Sequence, residues 1–181
     1  RPKPHTGRVP ASVTRVIGCG RTSAVAASRK ARELGFAVSL GIGDLRGEAR
    51  TCGPRIIARF LASARQKARC LIATGETVVK VRGRGRGGRN QELALSAGPS
   101  LARGGRPLVL AAFATDGVDG NSSAAGGIVD DQTEARAMAL GVSIAESLDR
   151  NDSAAALKRL GALIVIGPTD TNVADLTVLL G

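Results

Sequence analysis

The sequence predicts an α/β fold, and three observations carry that prediction. Short apolar segments alternate with longer ones of helical spacing in the first third of the chain. Strand–helix–strand–helix–strand in that order is the grammar of a parallel sheet. Glycine-bearing turns then follow further apolar runs, where loops at strand ends are expected.

Taken in order, Val13–Gly18 reads as a short strand. Thr22–Leu34 reads as a helix rich in alanine, with Gly35 placed where a helix end wants a left-handed residue. Phe36–Leu40 is a second strand and Gly41-Ile42-Gly43 a turn. Glu48–Ala68 has Ile56, Ile57, Phe60 and Leu61 on one helical face, and Pro54 in its early part moves the expected start toward Cys52. Cys70–Ala73 is a short buried strand and Thr77–Val81 an extended segment. Asn90–Ala97 reads as a helix that Asn90 can cap and that Gly98-Pro99 ends or kinks. Leu108–Ala114, a continuous apolar run, predicts a strand buried on both faces. Helices are expected over Thr133–Leu140 and Ser153–Leu160, a buried strand over Leu163–Ile166, and an apolar closing segment over Leu176–Leu180.

An apolar fraction of 43% suits a packed core. No apolar run approaches the roughly 20 residues that cross a bilayer, and no secretory pattern opens the chain. The expectation is a cytoplasmic protein whose residues 1–12 are linker or disordered. Three scattered cysteines, Cys19, Cys52 and Cys70, fit neither a zinc site nor a disulfide framework and read as buried thiols. His5 is the one histidine, which excludes a Ser-His-Asp or Cys-His relay. The formal charge of +11 raises a nucleic-acid partner. Against it, the arginines are spread among Ala and Gly, and there is no Trp or Tyr on which bases could stack.

Three loops carry candidate chemistry. Gly83-Arg84-Gly85-Arg86-Gly87-Gly88-Arg89-Asn90 leads directly into a helix N-terminus, where Gly85, Gly87, Gly88 and Asn90 could receive an anion. Arg89, at the junction, could grip it as a planar fork. A solvated basic hairpin and an Arg/Gly-rich nucleic-acid-binding segment are the alternatives. In Thr115-Asp116-Gly117-Val118-Asp119-Gly120-Asn121, Asp116 and Asp119 suit Mg²⁺ or a general base beside it. Alternatively they only shape an Asx-turn. Gly167-Pro168-Thr169-Asp170-Thr171-Asn172 offers hydroxyls for phosphate oxygens, or is simply a turn. All three are expected at one sheet edge.

Gly75-Glu76-Thr77, Val81 to Glu92, Thr115 to Gly120, Ala124-Ala125-Gly126, Asn151-Asp152-Ser153 and Gly167 to Leu176, in that order, resemble the MOFRL domain. That domain closes the glycerate 2-kinases, often labelled hydroxypyruvate reductases. The resemblance covers residues 75–181. Residues 13–74 look like the last strands and helices of the family's preceding Rossmann-like domain, with Arg21-Thr22 resembling its pre-helix motif. Departures are Ala73-Thr74 where the family has glycine and serine, Ala154-Ala155-Ala156 where it has aromatics, and Pro99 in a helix it continues.

The resemblance implies phosphorylation of D-glycerate at its 2-hydroxyl by ATP with Mg²⁺, in a cleft between two domains. By position, Arg89 looks like the family's active-site arginine. Asp116 looks like a metal ligand or the proton acceptor, with Asp119 beside it. Thr115, Thr169, Thr171 and Asn172 join the glycine loop as substrate- or phosphate-binding candidates. The family's lysine comes from the start of that first domain, which this chain is expected to lack, so the chain alone is expected to have little activity. Nicotinamide chemistry has no support, because no Gly-x-Gly-x-x-Gly opening a helix after a strand has an acidic residue about 20 positions on.

Overall fold

One six-stranded sheet organises the chain in the computed structural model, which describes residues 13, 15–63 and 69–181. The strands are β1 (Ala37–Leu45), β2 (Arg69–Gly75), β3 (Val109–Ala114), β4 (Gly126–Asp130), β5 (Leu163–Ile164) and β6 (Asp175–Leu180). Their order is β1-β2-β6-β3-β4-β5. The expected residues 1–12, His5 and the tail of the second helix at 64–68 lie outside the described residues.

The helices are α1 (Gly20–Glu33), α2 (Ala49–Ala62), α3 (Arg89–Ala102), α4 (Thr133–Ala139), α5 (Ile144–Asp149) and α6 (Ser153–Arg159). α1 ends as its sequence predicts. Gly35 takes φ +88, its N–H reaches Arg32 O, and Phe36 N–H reaches Ala31 O.

Period-two alternation divides the core between the two faces of the sheet. Leu71, Ala73, Leu110, Ala112, Val129 and Leu179 pack under α2–α6, whereas Cys70, Ile72 and Leu176 pack with Ala24 of α1. α3 is buried all round from Asn90 to Ala97, wedged between β3 and β4 on one side and its fellow helices on the others. Its N-terminus is therefore held rigidly at one end of the sheet.

Only β1 and β2 are parallel; every other pair is antiparallel. The parallel expectation, made for the first third of the chain, holds for the α2 crossover, and the later strands run antiparallel because β6 enters between β2 and β3 from the far end of the chain. That insertion also fixes the rim. β2 and β3 both oppose β6, and β5 opposes β4, so the C-terminal ends of β2, β3 and β5 and the start of β6 share one edge.

Several local expectations are corrected. Residues 13 and 15–18 form no strand, and Val13, Val16 and Ile17 are exposed without a pairing neighbour. Gly41-Ile42-Gly43 is not a turn: β1 runs through it, with a register shift between Ile42 and Leu45 that absorbs φ +75 at Gly43. Thr77–Val81 joins no strand beyond one bridge from Val78 to Glu48.

α3 passes through Gly98-Pro99 to Ala102, since tertiary burial outweighs the hydrogen bond that Pro99 cannot make. β3 is buried on one face only; Val109 stays 36% exposed because α1 covers the β1-β2-β6 side of the sheet. β5 is two residues long, with Val165 and Ile166 exposed. Cys52 and Cys70 are buried, the latter's thiol pushed up to about 11 by burial, but Cys19 is exposed. β4 and α5 were not expected.

Candidate functional site

The rim where β2, β3 and β5 end carries a cavity of about 870 Å³. Residues from all three candidate loops line it. Gly85, Gly87, Gly88 and Arg89 come from the first, Asp116 and Asp119 from the second, and Asn172 from the third. Arg89 and Asp116 thus face a common space. Asn90 is buried behind it, and Thr115, Thr169 and Thr171 are not among its lining.

Arg89 opens α3 and points back to the sheet. Its Nε donates to Asp175 Oδ2 at 2.6 Å and its Nη2 to Asp175 Oδ1 at 3.1 Å. Its Nη1 donates to Glu76 Oε1 at 2.7 Å. Asp175 is 1% exposed where β6 begins between Gly75 and Ala114, while the Glu76 side chain is 69% exposed. The hydrogen bonds to Asp175 raise the guanidinium's pKa above its ordinary value, so Arg89 keeps its charge.

Asp119 caps α3 from another loop. Oδ1 accepts from the N–H and side-chain amide of Asn90, and Oδ2 accepts from the N–H and side-chain amide of Gln91. Burial raises its pKa despite those donors. Since Asp119 takes two first-turn N–H groups, the helix N-terminus is already largely satisfied by a carboxylate of the chain itself. Asp116 is more open. Oδ1 accepts from Val118 N at 3.1 Å, an Asx-turn, and Oδ2 accepts from Asn172 Nδ2 at 3.2 Å.

Threonine hydroxyls bind the loops together here. Thr115 Oγ1 donates to Ala174 O and accepts from Val173 N, and Thr169 Oγ1 donates to Thr115 O. These bonds lash the end of β3 to the segment before β6.

The glycines of the first loop have a packing reason. A Cβ at Gly83 or Gly85 would strike the backbone of Arg150, and at Gly85 also Asp152; one at Gly88 would strike Asp119. Loop N–H groups are answered from the same side: Asn151 Oδ1 accepts from Arg82 N and Gly83 N, Asp152 Oδ1 from Arg86 N, and Asn121 Oδ1 from Gly87 N. The loop is a shaped wall of the cavity, with Arg84 exposed on it. A flexible basic hairpin would lack these partners.

Sequence reasoning missed Glu76, Asp175 and Asn151 as structural partners of the site. All three lie inside the motif stretches that resemble the family, and a polar residue abutting an apolar run, as Asp175 does, is a further signal.

Comparison with known proteins agrees with this architecture. The MOFRL family matches residues 69–175. The D-glycerate 2-kinase of Thermotoga maritima is 46% identical over 154 residues, covering 82% of this chain and 36% of that protein. The glycerate 2-kinase of Pyrococcus horikoshii is 35% identical over 170 residues, covering 90% and 38%. A crystal structure of the Thermotoga maritima glycerate kinase superposes with a TM-score of 0.86 at 43% identity, covering 92% of this chain and 41% of that one. The chain therefore spans about two fifths of the length of these relatives. No described helix is long and apolar enough to cross a membrane. With a family match over more than half its length, on the same strands and loops that build the cavity, the chain belongs to the MOFRL family.

Proposed function

We propose that this chain forms the MOFRL-side wall of a glycerate 2-kinase site, where ATP phosphorylates the 2-hydroxyl of D-glycerate. The observation that carries the reading is the shared cavity, with the Arg89 guanidinium and the Asp116 carboxylate both on its wall. The names of the relatives supply the substrates.

In the proposed reaction the 2-hydroxyl oxygen attacks the γ-phosphorus of ATP. The bond from that phosphorus to the β,γ-bridging oxygen breaks, and ADP departs. Asp116 accepts the hydroxyl proton, while Arg89 orients the anionic substrate and offsets charge on the transferring group. Gly85, Gly87 and Gly88 let the loop backbone approach the ligand, and Asn172 steadies Asp116. Asp119 serves by fixing the start of α3, and Thr115 and Thr169 by fixing the rim.

A divalent metal fits one mode of binding. Among the described residues no group of three or more His, Cys, Asp or Glu side chains could form a protein cage. Asp116 and Asn172 could still share Mg²⁺ with substrate phosphates and water, because each carboxylate oxygen accepts more than one bond. Bound there, Mg²⁺ would neutralise phosphate charge.

Residues 13–74 we assign to the end of a preceding Rossmann-like unit, supported by the parallel β1–α2–β2 crossover, with β2 shared between the two because it pairs with β6 and lies inside the family match. The part of the relatives' length that this chain does not span supplies the remaining groups. A coupled assay of ADP release with D-glycerate and Mg-ATP tests the reading. The chain alone should turn over little or not at all. Joined to the N-terminal part of the Thermotoga maritima relative, it should turn over, lose activity with Arg89→Ala and keep most of it with Arg84→Ala. Equal loss from both substitutions, with RNA or DNA affinity that falls steeply with salt, would favour the nucleic-acid reading instead.

A further inference from the structure

We propose that Glu76 is a built-in competitor for the ligand edge of Arg89, so that an anionic ligand binds there by displacing a carboxylate of the chain itself. The inference rests on the glycerate reading and adds to it a residue that sets affinity.

The guanidinium has five N–H donors arranged around a plane. Asp175 takes the side edge, Nε and Nη2, and is buried, with the guanidinium its one charge partner among the described residues. That partnership is permanent. Three donors remain, two on Nη1 and one on Nη2, and the end edge, one from each nitrogen, is where a carboxylate or phosphoryl group could make a second fork. Glu76 stands on Nη1 with a single contact.

The two carboxylates differ in what holds them. Asp175 is 1% exposed in the central strand and has no route to water, whereas the Glu76 side chain is 69% exposed. An ion pair this open contributes little, and water can replace it. A ligand that makes two charge-assisted bonds where Glu76 makes one would win the edge.

The charge balance of the wall gives the competition its direction. Glu76, Asp116 and Asp119 line the cavity against Arg84 and Arg89. While Glu76 sits on Arg89, the cluster of Arg89, Asp175 and Glu76 carries a net negative charge and repels an anion. Once Glu76 swings out, the remaining pair is neutral.

Calorimetric titration of the purified full chain with D-glycerate at low ionic strength tests this, with glycerol as the uncharged control. Glu76→Gln should tighten D-glycerate binding about two- to fivefold, the range an exposed ion pair allows. It should leave glycerol unaffected and the melting temperature near that of the parent. In an Arg89→Ala background the same substitution should change nothing, because the competition acts through that guanidinium. Tightening that persists without Arg89 would mean general charge repulsion and would overturn the competitor. So would unchanged or weaker binding by Glu76→Gln. Equal D-glycerate affinity in the parent and Arg89→Ala would instead sink the glycerate reading.

Discussion

Arg89 and Asp175 form a side-on fork, Nε to Oδ2 at 2.6 Å and Nη2 to Oδ1 at 3.1 Å, across 86 positions of sequence. It ties the first residue of α3 to the first residue of β6, so the helix start and the sheet rim cannot move independently. The two partners are not equivalent. Arg89→Ala leaves a buried carboxylate without its counter-charge, at a cost of about 3 kcal/mol. Asp175→Asn keeps one acceptor and frees an arginine that already reaches water, for about 1 kcal/mol. Urea unfolding of both variants should rank them in that order; the reverse order would mean that Arg89 is not what holds Asp175.

The glycine–arginine loop should be intolerant at its glycines and tolerant at its exposed arginine. Gly85→Ala drives a Cβ into Asp152 and the backbone of Arg150, and should destabilise by about 2 kcal/mol or more. Arg84→Ala should fall within about 0.5 kcal/mol of the parent, as exposed positions do. Thermal unfolding distinguishes them, and equal effects would contradict the packing account of the glycines.

Asn151 should act as a clamp for the same loop. It holds a left-handed φ of +53, accepts from Arg82 N and Gly83 N, and donates to Lys80 O and Glu92 Oε2. Asn151→Ala strands those groups and should destabilise by about 2 to 3 kcal/mol. Hydrogen exchange should then quicken first at Arg82 and Gly83; unchanged protection there would refute the clamp.

Glu92 makes stability depend on pH. It is 1% exposed, its Oε1 has no partner among the described residues, and burial raises its pKa above the ordinary carboxylate value. The folded state therefore holds this proton more tightly than the unfolded chain does. The contribution is fully present below the unfolded pKa and is lost as pH rises through the folded one. Glu92→Gln removes that loss. It should melt higher than the parent at neutral pH, with the gap closing as pH falls toward the ordinary glutamate range. A gap that widens on acidification would reverse the sign.

Local signals were legible in the sequence and long-range pairings were not. Gly35 announced the end of α1 because a left-handed helix end is a one-residue requirement. The place of Arg89 at the start of α3 was legible just as locally, as the junction of a glycine run with a helix start. The closing segment Leu176–Leu180 read only as apolar, and nothing in it says that it inserts between β2 and β3. Without that placement the antiparallel sheet and the partner of Arg89 could not be read. β5 misled by its apolar run, because periodicity reports what could be buried and not how much sheet is there to cover it.

The most direct test of the central claim is where D-glycerate lands. Backbone amide shifts of the labelled chain during a D-glycerate titration should move around Glu76, residues 83–89, Asp116 to Asn121 and Asn172. The apolar groove of Ser96, Ala137 and Leu148 should stay still. Shifts confined to that groove, or scattered over exposed arginines with none at Arg89 and Asp116, would contradict it.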